Sequence, residues 1–177
     1  MKKIIALLLC LTLAVAMVAC GNKETNKGGN AATKNLEGTM EEVIASVQEA
    51  HGETELPLMT MVLDLADIDG LTYNTGLATA DQITDAAVSE PMMGQPYSLV
   101  MVRANSAEDA AAVAQEMYDN IDTRKWVCME ADTKVAAYYG DVAMFFMVSS
   151  DFAEQTTTDK MVEAFKTVCG GNVTVIG

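Results

Sequence analysis

Histidine is almost missing from this chain: His51 is the only one among 177 residues. A serine or cysteine nucleophile would have that imidazole alone as its base. His51 stands beside Gly52, where a helical pattern stops, and a helix cap near the negative end of the dipole is the role expected of it. Basic side chains are scarce as well, eleven Lys and Arg against 25 Asp and Glu, for a formal charge of −14. Nucleic-acid binding needs a basic footprint, so that class is excluded. No Gly-x-Ser-x-Gly elbow, phosphate loop or dinucleotide fingerprint is present. No apolar run reaches the roughly 20 residues a membrane helix requires.

An unbroken uncharged stretch, Ile4 to Val18, dominated by Leu, Ala, Val and Ile, follows Lys2 and Lys3. A charged start and a short apolar segment suit a secretion signal covering residues 1–19. The run ends Met17-Val18-Ala19-Cys20-Gly21-Asn22. This resembles the lipobox of bacterial lipoproteins, with Met17 and Val18 in place of the usual Leu and Ala or Ser. It implies diacylglycerol on the Cys20 thiol and cleavage before that residue. The competing reading is plain secretion with cleavage at Ala14-Val15-Ala16. Two acyl chains suffice for stable anchoring. Gly21 to Asn35, GNKETNKGGNAATKN, has almost no apolar content, so residues 20–35 are expected to be the lipidated cysteine and a flexible tether with a reach of about 20 Å.

The signal takes 19 residues and the tether 16 more, leaving 142 of the 177 for one domain, residues 36–177. That is enough to bury a core. It is small for a two-lobed solute-binding protein. The signal also takes two of the eleven basic residues and no acidic one, so the mature charge becomes −16. Such a surface is repelled by anionic headgroups, which leaves the lipid as the membrane contact.

Four cysteines reduce to two, because Cys10 leaves with the signal and Cys20 is consumed. Cys128 and Cys169 are read as free thiols, with pairing as the alternative open to an exported protein. One histidine and two thiols make a structural zinc site untenable. Asp64, Asp67 and Asp69 precede Gly70 in the manner of a calcium loop, but Leu65 falls where the first carboxylate is needed and Gly76 where the bidentate Glu is needed. A solvated turn fits better. Met59, Met61, Met92 and Met93 form the only methionine clusters; a soft-metal site has thioethers to draw on there, but no fixed spacing supports one. No metal and no cofactor is therefore expected.

Thr39-Met40-Glu41-Glu42 reads as a capping box opening a helix over about 40–50, with Met40, Val43, Ile44 and Val47 on one side. Leu56-Pro57-Leu58 breaks the chain, a short helix is expected around 61–68, and Asp67 to Gly70 reads as a turn. Ile83–Ser89 and Tyr97–Ala104 read as strands. A helix capped at Asn105-Ser106 follows, with Ala107, Ala110, Ala111, Ala114, Met117, Tyr118 and Ile121 as its stripe. Val135–Tyr139 and Val142–Ser149 are strand-like around a Gly140-Asp141 hairpin. A last helix presents Met161, Val162, Phe165, Val168 and Cys169 up to Gly170-Gly171, and Val173–Ile176 reads as an edge strand. The order is strand-strand-helix, twice, after an N-terminal helix. An α+β fold is predicted, a four- to five-stranded antiparallel sheet with helices on one face, its two halves an architectural repeat.

Ser89-Glu90-Pro91-Met92-Met93 followed by Tyr97-Ser98-Leu99-Val100-Met101-Val102-Arg103, with Tyr73-Asn74-Thr75-Gly76, Asp122-Thr123-Arg124-Lys125-Trp126-Val127-Cys128 and the Gly140 hairpin, resembles the domain of unknown function numbered 4358, found in small lipoproteins of Gram-positive bacteria. The resemblance covers residues 70–150 and the lipobox. It implies a location on the outer face of the cytoplasmic membrane and carries over no catalytic residue. The expected function is a membrane-anchored, non-catalytic binding or interaction module whose partner is an envelope protein or a small ligand. Its contact loop would be Pro91, Met92, Met93 and Tyr97, with Tyr73 and Trp126 beside it. The alternatives are a carboxylate-dependent hydrolase of envelope polymers, which needs two carboxylates about 5–10 Å apart, and an accessory subunit of a membrane complex.

Overall fold

The computed structural model describes residues 35–177. The expected signal, Cys20 and nearly all of the tether lie outside the described residues. Helix α1 (Met40–His51) starts at the capping box: the Glu42 amide donates to Thr39 Oγ1 at 3.3 Å and the Thr39 amide to Glu42 Oε2 at 2.9 Å. Strand β1 (Leu58–Val62) follows, then α2 (Ile68–Thr75). The helix expected around 61–68 is therefore replaced by a strand and a later helix. The expected turn at 67–70 is instead the start of α2: Asp67 closes a turn from Asp64, its amide donating to Asp64 O at 3.1 Å, and caps the helix, its carboxylate accepting from the Gly70 amide at 3.1 Å. Gly76 ends α2 at φ 77; a Cβ there would sit 2.6 Å from the Ile121 nitrogen, so only glycine lets α2 approach the next helix so closely.

Strands β2 (Ile83–Pro91) and β3 (Tyr97–Ala104) form the first hairpin, and α3 (Ala107–Asn120) is capped by Ser106. Strands β4 (Thr133–Tyr139) and β5 (Val142–Val148) form the second hairpin around Gly140. A 3₁₀ turn (Ser150–Phe152), α4 (Thr158–Cys169) and the short β6 (Thr174–Ile176) complete the chain. Arg103 clamps the end of β3: its Nη1 donates to both carboxylate oxygens of Asp141 in the β4–β5 turn, at 2.9 and 3.0 Å, and its Nη2 donates to Gly38 O at 2.8 Å.

The fold is α+β with an antiparallel sheet, as expected, but the sheet has six strands in the order β1-β2-β3-β5-β4-β6. The helices also cover both faces, not one. Helices α1 and α4 pack on Tyr97, Leu99, Met101, Met144, Phe146 and Val148. Helix α3, with Leu71 of α2, packs on Val100, Val102, Ala143, Phe145 and Met147. The reason lies in β3 and β5, which are apolar at nearly every position, so both faces need cover. All seven residues of β5 are buried. The halves β2-β3-α3 and β4-β5-α4 are not related by rotation: a two-fold exchanging β3 with β5 would leave both helices on the same side, and they lie on opposite sides.

Candidate functional site

Residues Glu90 and Ser98 face each other near the β2–β3 hairpin, extending the row Ala86, Val88 and Val100, Val102 on the α3 side of the sheet. Helix α3 rests mainly on β4 and β5. The outer strands there are covered instead by α2 and by the loop 122–132. That loop is fastened at its base: the Ala131 amide donates to Thr123 O at 2.9 Å. Asp132 accepts from both the Ser150 hydroxyl and amide at 2.6 Å. Those bonds, the hydroxyl first, hold the Asp132 carboxyl below the usual carboxylate range.

From this loop Lys125 enters the protein, with only 1% of its side chain exposed, and its Nζ lies 2.5 Å from Glu90 Oε1. Ammonium and carboxylate make a short, charge-assisted contact largely out of water. Ser98 Oγ lies at 3.4 Å. The ammonium sits 5.1 Å from the Tyr73 ring centre and 5.5 Å from that of Trp126, within cation–π range of both. The Tyr73 hydroxyl donates to the Lys125 carbonyl at 3.2 Å. Burial pulls the Lys125 pKa down, while Glu90 and then Asp122 oppose that shift. Desolvation, Glu90 and Asp122 push the Tyr73 phenol up.

The structure thus brings Tyr73 and Trp126 together over a lysine and a glutamate that sequence reasoning did not select. Trp126 is nearly buried and serves as a roof. Pro91 is buried at the end of β2, and Tyr97 is a core residue on the opposite face, edge-to-face with Phe146 at 5.0 Å and 75°. Tyr97 is therefore removed from the contact surface: β3 alternates, and position 97 points to the α1–α4 side. Met92 and Met93 do project from the hairpin, 70% and 79% exposed. Val127, at 87%, and Met129 flank Trp126 on the loop. A shallow depression of about 320 Å³ beside them is lined by Arg124, Trp126, Cys128, Met129 and Glu130. The Lys125 amine is shut away from solvent and cannot attack a substrate. It fixes the loop and leaves an apolar rim around it.

A larger open cleft of about 670 Å³ lies at the end of α1, where Glu53, Glu55, Asp151 and Glu154 gather with His51 and Lys160. His51 meets the Gly52 carbonyl through Nδ1 at 3.4 Å and the buried Thr156 hydroxyl through Nε2 at 2.9 Å, so it joins the helix end to the segment before α4. Cys128 is exposed, at φ 61, and Cys169 is buried; neither is in a disulfide. Among the described residues, no three His, Cys, Asp or Glu side chains converge as metal ligands, and no helix is long and apolar enough to cross a membrane.

No family model, curated protein or solved structure matches the chain.

Proposed function

We propose that the chain is an extracytoplasmic lipoprotein, held to the membrane by acyl chains on Cys20, whose globular part is a non-catalytic module for protein–protein contact. The resemblance to the lipoprotein domain numbered 4358 belongs to this reading. The observation that carries it is the rim of Met92, Met93, Tyr73, Val127 and Met129 exposed around the buried Glu90–Lys125 pair. An acidic protein of this size gains nothing in solubility from exposed methionine and valine. A loop already ordered by an internal ion pair loses less entropy when it docks, and methionine adapts to the partner it meets. The partner is a protein of the envelope, including a membrane complex that the lipoprotein would accompany.

Photo-crosslinking residues placed at Met93 and Val127 in cells test the contact surface. Discrete protein adducts at both, weakened when Met92 is changed to Ser, are the expected result; their absence would remove the reading. The anchor is tested separately by labelled palmitate, which should enter the chain and be lost with Cys20→Ser.

The second reading, a carboxylate-dependent hydrolase of envelope polymers, is favoured by the gathering of four carboxylates in the 670 Å³ cleft. Polymer turnover that disappears in a Glu53→Gln, Glu55→Gln variant would replace the first reading with this one.

A further inference from the structure

Strand β1 is one edge of the sheet, and its outer side has no strand against it among the described residues. The hydrogen bonds on either side of it define which groups point outward. The Leu63 amide donates to Ala86 O at 2.9 Å, and the Met92 amide donates to Pro57 O at 3.1 Å. With Met59 opposite Glu90 and Met61 opposite Val88, the antiparallel alternation turns the amides of Met59 and Met61 toward β2. The backbone groups of Leu58, Thr60 and Val62 then face away from the sheet. The Leu58 N–H is occupied by Leu56 O at 2.9 Å. That leaves two donors, on Thr60 and Val62, and three acceptors along the free edge.

This edge lacks the usual protections. Leu58-Met59-Thr60-Met61-Val62 contains no charge, proline or glycine. Its side chains at 59, 61 and 62 are exposed. The opposite edge, β6, is only three residues long, which is itself a protection. The β1 sequence is also nearly symmetric about Thr60, with methionine on both sides and a branched aliphatic residue beyond each.

We propose that β1 is a self-pairing strand, by which two copies of the chain join their sheets antiparallel about a two-fold axis through Thr60. In that register Thr60 faces its own copy, and Leu58 faces Val62 of the other chain. Both free donors of each copy therefore meet outward carbonyls, and the Val62 carbonyl faces the Leu58 N–H that Leu56 already occupies. Each Thr60 amide donates to the other Thr60 carbonyl, and each Val62 amide to the opposing Leu58 carbonyl. Met59 meets Met61 of the second copy at the non-hydrogen-bonded positions, where side chains approach most closely. The four methionines form one apolar strip on the α3 side. Charge fits the same register: Asp64 falls opposite Leu56, and no carboxylate faces another along the strand. Beyond the strand the two acidic bodies repel, so added salt tightens the dimer. The contact uses the β1 edge and not the hairpin rim, so it stands or falls apart from the proposed function.

Two cysteine variants of the full chain test it, both in a Cys10→Ser, Cys20→Ser, Cys128→Ser background that leaves only the buried Cys169 thiol. Met59→Cys carries one tag and Met61→Cys another. On oxidation their mixture should give a disulfide-linked species bearing both tags, and mixtures of either variant with itself should not, because only 59 and 61 of different copies are paired. Thr60→Pro removes an outward donor without touching the β1–β2 ladder. It should leave the circular dichroism of the chain unchanged and weaken dimerisation measured by sedimentation about tenfold or more. A monomer at every concentration in low and high salt overturns the proposal. So does cross-linking that ignores the register, a dimer insensitive to Thr60→Pro, or capture of β1 by a different protein.

Discussion

Consecutive residues on one strand end, Ser89 and Glu90, point to opposite faces of the sheet and meet opposite kinds of partner. Ser89, on the α1 side, accepts from the Gln48 amide at 2.8 Å, a neutral bond between strand and helix. Glu90, on the other side, holds the Lys125 ammonium. The difference follows from what covers each face. Helix α1 reaches the sheet through a long apolar stripe, and two hydrogen bonds tie it to β2: the Met40 amide to Asp85 Oδ2 at 2.7 Å where the helix starts, and the Gln48–Ser89 bond near its end. The loop 122–132 has no such stripe, and Trp126 is its one large buried anchor. A charge pair supplies a directional attachment, and with it an energetic dependence of each partner on the other.

Breaking the ion pair should give the largest separation between the two faces. Glu90→Ala leaves the Lys125 ammonium buried with no counter-charge, and a loss of about 3 kcal/mol in denaturant unfolding is expected. Amide exchange should quicken in residues 122–132 and stay unchanged in α1. Glu90→Met with Lys125→Met removes both charges and should recover most of the loss, because an apolar pair of similar volume costs no desolvation. If the single and double variants are equally unstable, packing and not charge holds the loop.

On the other face the corresponding break is milder. Ser89→Ala deprives the Gln48 amide of its acceptor and should cost about 1–2 kcal/mol. The change should appear as faster exchange along α1, with the loop 122–132 unaffected. A cost equal to that of Glu90→Ala would erase the distinction between neutral and ionic attachment.

Three helices were legible in the sequence because their caps and stripes are local: Thr39 with Glu42, the cap at Asn105-Ser106, which falls on Ser106, and the Met161–Phe165 stripe. The hairpins were legible from apolar runs and Gly140. Strand β1 was not, since Leu-Met-Thr-Met-Val has no clear period and becomes a strand only by pairing with β2. The placement of helices on both faces was available in Val142–Val148, an unbroken apolar run that an open-faced sheet would not need. At the candidate site, Tyr73 and Trp126 were readable as large apolar side chains in polar surroundings. Their meeting over Lys125 depends on α2 and a distant loop packing on one strand, which no local pattern encodes. A sign was present in Ala86-Val88-Glu90, where a carboxylate takes the next inward position of a buried row.

The smallest predicted effect turns the comparison into one of sign. On the α1–α4 face the Cys169 thiol is buried at the end of α4, and desolvation pushes its pKa from 9.0 up to about 12. The folded chain therefore keeps a proton that the unfolded chain releases above pH 9, so stability falls as pH rises from 9 toward 12. The first unit of that window is worth about 1 kcal/mol. On the other face Lys125 is shifted down from 10.5. There the unfolded chain holds the extra proton between the two values, and stability rises with pH up to 10.5. Replacing Cys169 by Ala should flatten the alkaline decline, and replacing Lys125 by Met should steepen it, because a rising contribution is lost. Urea midpoints measured from pH 8 to 11 read both slopes. Parallel changes in the two variants would mean that the faces do not differ in how they hold their buried protons.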